Sequence, residues 1–301
     1  MNTARLGLGT VQFGLDYGIS NQRGRVSEEQ AAQILSTAER RGVTMLDTAA
    51  GYGDSERVLG RMMVNYPGRF RVVTKMTATA ATQATREEGQ KVRAVLAQSL
   101  NRLGLPSVYG LLAHRAADLL QPGGQYLIDA MVECKSLGQT EKIGVSVYSG
   151  AEIDKILELF IPDIVQLPIN VADQRLIHSG HLDLLKRHGV EIHARSMFLQ
   201  GLLLMSPEAL PDYFSPVRSR FAKIRAAFVE QQWTALEGCI RFAMGRPELD
   251  VVLAGVTGVD ELEEILGIVQ RIEDGRDEGF FPPLAIEDEP YLNPAQWKIA
   301  Q

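Results

Sequence analysis

The chain has 301 residues, 45% hydrophobic and 23% charged, the proportions of an ordinary globular protein with enough apolar residues for a sizeable core. With 31 basic and 37 acidic side chains its net charge is -6, so it lacks the basic footprint of a nucleic-acid-binding protein. Two cysteines, Cys134 and Cys239, are too few and too far apart for a disulfide framework or a zinc-ligand spacing, and no metal site is expected. Residues 1–8 show no charged leader running into a long apolar stretch, and no run approaches the ~20 apolar residues that span a bilayer. A cytoplasmic chain with no membrane partner is expected.

Short apolar runs alternate with helix-length amphipathic segments. The first run, 5–9, predicts a strand. It is followed by a helix over 27–41, which opens on Ser27 with Gln30 three residues later, the spacing of a capping box, and stops at Gly42. Strands are predicted over 44–47 and 71–75. The next helix, 90–103, puts Val92, Val95, Leu96 and Leu100 on one face and ends at Gly104. Strand 108–112, helix 126–137, strand 143–146, helix 151–160, strand 164–167, helix 181–188 and strand 191–194 then alternate. A long helix over 221–244, a strand over 251–254 and a helix over 259–271 complete the pattern, ahead of an irregular tail from about 274 that is rich in acidic residues and proline.

Most strands read as near-continuous apolar runs, as parallel strands covered by helices do. Eight of them, with helices between and no Pro/Gly/Ser-rich linker, predict an α/β fold: one parallel (β/α)8 TIM barrel spanning 1–301. A doubly wound open sheet would usually carry a turn such as G-x-G-x-x-G after its first strand; here that place reads Gly7-Leu8-Gly9-Thr10-Val11-Gln12-Phe13-Gly14. Segment 199–217, with Pro207, Pro211 and Pro216, breaks the alternation. It is either a functional loop on the C-terminal face of the barrel or a plain surface excursion.

Four titratable residues fall at or just after the C-terminal ends of neighbouring strands: Asp47, Tyr52, Lys75 and His114. Singly, each has a bland reading: a turn cap, a rim aromatic, a surface charge, a satisfied polar side chain. Together they form a connected proton-transfer set. Reducing a carbonyl needs a hydride from one side and a proton for the developing alkoxide. A tyrosine of ordinary pKa about 10 is a poor acid at neutral pH, and an ammonium beside it favours the phenolate. Asp47 would keep Lys75 charged and in place, and His114 would hydrogen-bond the carbonyl oxygen.

On these residues the chain resembles the aldo-keto reductase superfamily. The matching pieces are Gly7-Leu8-Gly9-Thr10, Leu46-Asp47-Thr48-Ala49, Tyr52-Gly53, Ser55-Glu56, Leu59-Gly60, Thr74-Lys75 and His114-Arg115. Gly144-Val145-Ser146, Gln166-Leu167-Pro168-Ile169-Asn170 and Gln200-Gly201-Leu202-Leu203 follow in the family's order, so the resemblance covers 7 to roughly 266. It implies an NAD(P)-dependent oxidoreductase that moves a hydride between a nicotinamide dinucleotide and an aldehyde, ketone or sugar carbonyl, or the corresponding alcohol. Tyr52 would be the general acid/base. Ser146 and Gln166 would hold the nicotinamide carboxamide, and Ser196 the pyrophosphate, with Gln200 and Gly201 in the same cofactor-binding segment. Gly255, Val256, Thr257 and Glu261 would surround the adenosine end. NADP(H) is favoured as the family's usual cofactor. NAD(H) stays open, because Asp260 and Glu261 open the last helix and no basic residue lies between Val251 and Gln270; Arg218 or Arg220 could supply the missing charge.

The chain departs from the family pattern at four places. Val147 stands where an asparagine usually meets the carboxamide. Arg195 stands where many members stack an aromatic ring on the nicotinamide. It would replace that platform, bind a substrate carboxylate or phosphate, or pair with a neighbouring strand end. The adenosine loop lacks its basic residue, and a first strand so near Met1 leaves no room for the short hairpin that often plugs the barrel floor. Two other functions stay open: a non-catalytic cofactor-binding scaffold or sensor with the same barrel, and an aldolase using Lys75 as a Schiff base. The implied partner is a small carbonyl or alcohol substrate, and no oligomeric state is specified.

Overall fold

Parallel strands need helices on their outer face and partners at both edges; eight of them satisfy one another by closing into a ring. The computed structural model describes residues 5–79, 82–274 and 283–298. Its strands close in chain order: β1 Leu6–Gly9, β2 Met45–Asp47, β3 Arg71–Met76, β4 Val108–Ala113, β5 Thr140–Ser146, β6 Ile164–Pro168, β7 Glu191–Arg195 and β8 Val251–Gly255. All neighbours are parallel, and β8 returns to β1 with Leu6 opposite Val252 and Gly9 opposite Gly255. Each expected strand is present. The largest shift is at β5, which starts at Thr140 because Thr140 pairs with Val108 at the foot of the barrel; the polar residues Glu141 and Lys142 disguise that start.

The helices follow their local signals where those exist. Both halves of the capping box at Ser27 and Gln30 form, and the helix runs Glu28–Arg40. The helix expected at 90 begins at Arg86, capped by Thr85, and stops at Gly104 in the left-handed conformation (φ 65°). A helix over Ser55–Met63 was not expected; no side-chain cap marks its start. The helix expected over 221–244 is corrected to two, Arg218–Glu230 and Ala235–Met244. The chain reverses at Gln232 (φ 61°), Thr234 caps the second piece, and Gly238 lies so close to Phe228 that a Cβ would come within 2.3 Å of the ring. Segment 199–217 winds into short 3-10 turns, Leu199–Leu204, Pro207–Ala209 and Asp212–Val217. Of the expected tail, 275–282 and 299–301 lie outside the described residues. The rest packs on the last of those turns, with Trp297 edge-on to Phe214 at 5.1 Å. Residues 1–4, where a floor hairpin would begin, also lie outside the described residues.

Cys134 and Cys239 are buried and unbridged. Among the described residues no helix is long and apolar enough to cross a membrane, and no group of three or more His, Cys, Asp or Glu is placed to hold a metal ion.

Inside the ring, Met45, Val73, Leu112, Ile164, Val251 and Leu253 pack with Tyr109. The strand starts close the floor with charge. Tyr109 donates to Glu191 Oε2 at 2.7 Å, Lys142 pairs with the same carboxylate, and His193 Nε2 lies 2.7 Å from its other oxygen. Arg71 and Lys142 lie over the Tyr109 ring, 4.8 and 5.0 Å from its centre. Burial opposes ionisation of Glu191, but the bonds from His193, Lys142 and Tyr109 outweigh it and bring its pKa down to about 2. The carboxylate therefore stabilises the fold fully above the ordinary glutamate value of about 4.3, and the benefit fades as pH falls towards about 2. Glu191→Gln should lower unfolding free energy by about 2–3 kcal/mol at pH 7, measured by urea denaturation, and the deficit should shrink at pH 3. An equal deficit at both pH values would assign the loss to shape rather than charge.

Candidate active site

Parallel strands all deliver their last residues to one rim, where the side chains that close them meet. Lys75 Nζ lies 2.6 Å from Asp47 Oδ2 and donates to the Thr48 carbonyl at 3.0 Å. Gln166 Nε2 donates to the other Asp47 oxygen at 2.7 Å. The pair is sealed, with the lysine side chain 1% and the aspartate 7% exposed. Burial works against the ammonium, yet the Asp47 carboxylate and then Tyr52 more than offset it, so the Lys75 pKa is raised. The ammonium lies 5.0 Å from the centre of the Tyr52 ring, and His114 stands edge-on to that ring at 5.6 Å. Burial first, and Lys75 second, push the His114 pKa down to about 4. Its imidazole is therefore neutral near pH 7 and keeps one N–H to donate.

The remaining motif residues build the support. The Thr10 hydroxyl donates to the Asp47 carbonyl at 2.9 Å. Ser55 Oγ lies 2.9 Å from Thr10 Oγ1 and 3.0 Å from Thr48 Oγ1, and donates to the Thr10 carbonyl. Glu56, held by Arg102 at 2.6 Å, accepts from Thr74 beside Lys75 at 2.7 Å. Gly14 lets the segment after β1 press on the Tyr52 backbone: a Cβ there would lie 1.8 Å from the Tyr52 carbonyl oxygen. The Asp-Thr, Tyr-Gly, Ser-Glu and Thr-Lys pieces thus form one clamp around the buried ion pair.

A cavity of about 1130 Å³ opens from Asp47, Tyr52 and His114 and reaches Thr257 and Glu261 at the start of the helix Val259–Asp274. It brings together all the residues that the sequence put forward for the cofactor: Ser146, Gln166, Arg195, Ser196, Gln200 and Gly201 line one part, and Gly255, Val256, Thr257 and Glu261 another. Lys75 lies behind the wall. Val147 is fully buried, and only its carbonyl serves the site, accepting from Arg195 at 3.1 Å. Gln12 Oε1, on the cavity lining, is buried with no hydrogen-bond partner among the described residues. Amides and hydroxyls at the strand ends, with a helix start at the far end, form a donor set that fits a dinucleotide.

The backbone after β7 is strained: Ser196, Leu199 and Gln200 all have positive φ, at 61°, 48° and 54°. Such conformations cost of order 1–3 kcal/mol each and cluster at binding sites. The turn is held by the segment after β1. Ile19 N–H donates to the Gln200 carbonyl at 3.2 Å, and Gln200 Nε2 donates to the Tyr17 hydroxyl at 3.0 Å.

Several lining residues escaped the sequence reading. Arg23 reaches across to Asp260 with bonds of 3.0 and 2.8 Å and lies 3.8 Å from Glu261. Glu261 also accepts from the Thr257 N–H at 2.7 Å. Arg23 and Arg225 line the cavity, whereas Arg218 and Arg220, the candidates for a compensating charge, do not. The Arg218 guanidinium is turned to the Leu210 carbonyl at 3.0 Å. Tyr148 was missed as well. Its position two residues after Ser146 was a usable signal, whereas nothing local marks Arg23 as the partner of a residue 237 positions away.

A sequence model described as the aldo/keto reductase family matches residues 5–274. The chain is 31% identical over 196 residues to an aldo-keto reductase of Mycolicibacterium vanbaalenii, covering 61% of this chain and 64%, less than two thirds, of that protein. It is 26% identical over 265 residues to the L-galactose dehydrogenase of Arabidopsis thaliana, covering 83% and 81% of the two chains. Its fold is similar to that of an aldo-keto reductase from Bacillus halodurans in its holo form, with a TM-score of 0.71, 18% identity and 93% and 94% coverage.

The lowered His114 value carries a sign. The unfolded chain takes up a proton near pH 6.5, while folded His114 resists until about 4, so this residue costs stability as pH falls through that window and no more below it. In a nitrogen NMR titration, the signal lost in His114→Asn should move with a midpoint near 4 in the parent protein; a midpoint near 6.5 would remove the neutral imidazole from the site's chemistry.

Proposed function

This chain belongs to the aldo-keto reductase family, and we propose that it interconverts a small aldehyde, ketone or sugar carbonyl and the corresponding alcohol, with Tyr52 as general acid/base. The observation that carries this reading is the buried Lys75–Asp47 pair, set beside Tyr52 and His114 on the lining of the cavity. A nicotinamide dinucleotide, when bound, supplies the hydride or takes it up.

In reduction, Tyr52 gives its phenolic proton to the oxygen of the substrate, and the Lys75 ammonium stabilises the phenolate left behind. Asp47 keeps the proton on Lys75, so the lysine acts as a fixed charge. Neutral His114 donates to the substrate oxygen, where negative charge develops. In oxidation the same tyrosine, as phenolate, accepts the proton. Gln166 spends its amide N–H on Asp47, which leaves its carbonyl oxygen to accept from the carboxamide of the cofactor. Ser146 beside it, and Ser196 with Gln200 and Gly201 further along, would hold the nicotinamide and pyrophosphate. Gly255 to Thr257 would hold the adenosine.

The aldolase reading fares poorly on the same geometry. A Schiff-base lysine must shed its proton and meet a carbonyl, whereas Lys75 is 1% exposed and paired to a carboxylate. A scaffold role would not need the ion pair, tyrosine and histidine held together. Sugar carbonyls deserve early testing, since the Arabidopsis relative is an L-galactose dehydrogenase.

Tyr52→Phe should lower turnover about 10²–10⁴-fold while leaving dinucleotide affinity within about twofold, read from cofactor absorbance and fluorescence titration; near-normal turnover would exclude Tyr52 as the acid. Lys75→Met should cost a similar factor.

The two dinucleotides should be poorly discriminated. Glu261 suits a free 2′-hydroxyl, while Arg23 is engaged with Asp260 rather than open to a phosphate. Dissociation constants for NADH and NADPH should fall within about tenfold, a gap under about 1.4 kcal/mol. NADPH binding about a hundredfold tighter would mean that Arg23 or Arg225 turns to the phosphate.

A further inference from the structure

Arg195 is a cation without a carboxylate. Among the described residues no aspartate or glutamate pairs with it, and its three nitrogens are tied to the cavity wall by neutral groups. Nε lies 3.3 Å from Ser146 Oγ, Nη1 3.3 Å from Ser196 Oγ, and Nη2 donates to the Val147 carbonyl at 3.1 Å. Its guanidinium carbon lies over the Tyr148 ring, 4.1 Å from its centre. Three of its five N–H groups are thus engaged with the wall, and neither a carboxylate nor a second aromatic ring meets the guanidinium among the described residues. A planar guanidinium can stack on a flat ring, and the residue lines the cavity with Ser146 and Gln166.

We propose that the guanidinium of Arg195 meets the nicotinamide ring, and that this fixed cation makes the site prefer the reduced dinucleotide to the oxidised one. The inference rests on the reading that the chain binds a nicotinamide dinucleotide. The reduced ring is neutral and the oxidised ring carries a positive charge, so a cation held against it penalises the oxidised form alone, more strongly in a partly buried site than in water. An uncharged aromatic platform imposes no such penalty. In the reductive direction the cofactor arrives neutral and departs charged, so Arg195 tolerates entry and promotes release, a step that limits turnover in many enzymes.

Fluorescence and calorimetric titration of the full chain, with both redox forms of whichever dinucleotide binds more tightly and with the matching ADP-ribose, tests this. The parent protein should bind the reduced form at least about tenfold more tightly than the oxidised form, a difference of about 1.4 kcal/mol. Arg195→Gln should bring the two within about threefold. Arg195→Lys, which keeps the charge, should retain a preference for the reduced form. ADP-ribose, which lacks the nicotinamide, should bind all three proteins within about twofold. An unchanged ratio in Arg195→Gln, or equal weakening of all ligands including ADP-ribose, would overturn the proposal. So would an unchanged ratio with a raised KM for acidic substrates alone, which would assign Arg195 to an anion. Failure of the parent protein to bind either dinucleotide would defeat the cofactor reading itself.

Discussion

Burying a lysine and an aspartate together is worthwhile only where every remaining hydrogen-bonding position is met, because desolvating two charges costs several kcal/mol per ion. The Lys75–Asp47 pair approaches that condition through Gln166 on one carboxylate oxygen and, on the ammonium, the Thr48 carbonyl and Tyr52. Much of the surrounding architecture follows. Strands β2, β3 and β6 must stop at the heights that bring these groups together. Thr10, Thr48 and Ser55 must pin the backbone at Asp47. The charge that results helps to keep His114 neutral. A group that cannot easily lose its proton thus stands next to one that cannot easily gain one, and the proposed acid/base role of Tyr52 rests on that contrast.

The two ends of the barrel use charge in opposite ways. At the foot, Glu191 gathers Tyr109, Lys142 and His193 onto one carboxylate, a network that closes the ring with paired charge. At the rim, Arg195 has no carboxylate partner among the described residues, and its fork is tied only to neutral groups. A paired cluster stabilises; an uncompensated cation beside a cavity is the basis of the ligand preference proposed above. The strained turn from Ser196 to Gly201 belongs with the rim: Gly201 is set where a Cβ would meet Ser20 Oγ at 1.7 Å, so the segment after β1 and the turn after β7 close on each other beside the cavity.

Legibility tracked the range of each interaction. Strands declared themselves as apolar runs, and helices with a hydroxyl cap or a terminal glycine, such as those starting at Ser27 and ending at Gly104, were readable from a few neighbours. The helix Ser55–Met63 carried no cap signal, and the division of 221–244 depended on a left-handed Gln232 and on Phe228 meeting Gly238. Asp47, Tyr52, Lys75 and His114 could be named because each lies at or just beyond a strand end, and parallel strands send all their ends to one rim.

The sequence by itself therefore determined the barrel, its single rim and the identity of the residues gathered there, because alternation, caps and strand ends are properties of adjacent residues. Only the tertiary structure decided where those side chains turn. It set Arg23 on Asp260 across 237 positions, took Arg218 away to the Leu210 carbonyl, and placed the Arg195 guanidinium over the Tyr148 ring with its nitrogens on Ser146, Ser196 and Val147. The reason is physical: a long charged side chain can point several ways from one backbone position, and the choice belongs to whichever partners packing brings within hydrogen-bond reach.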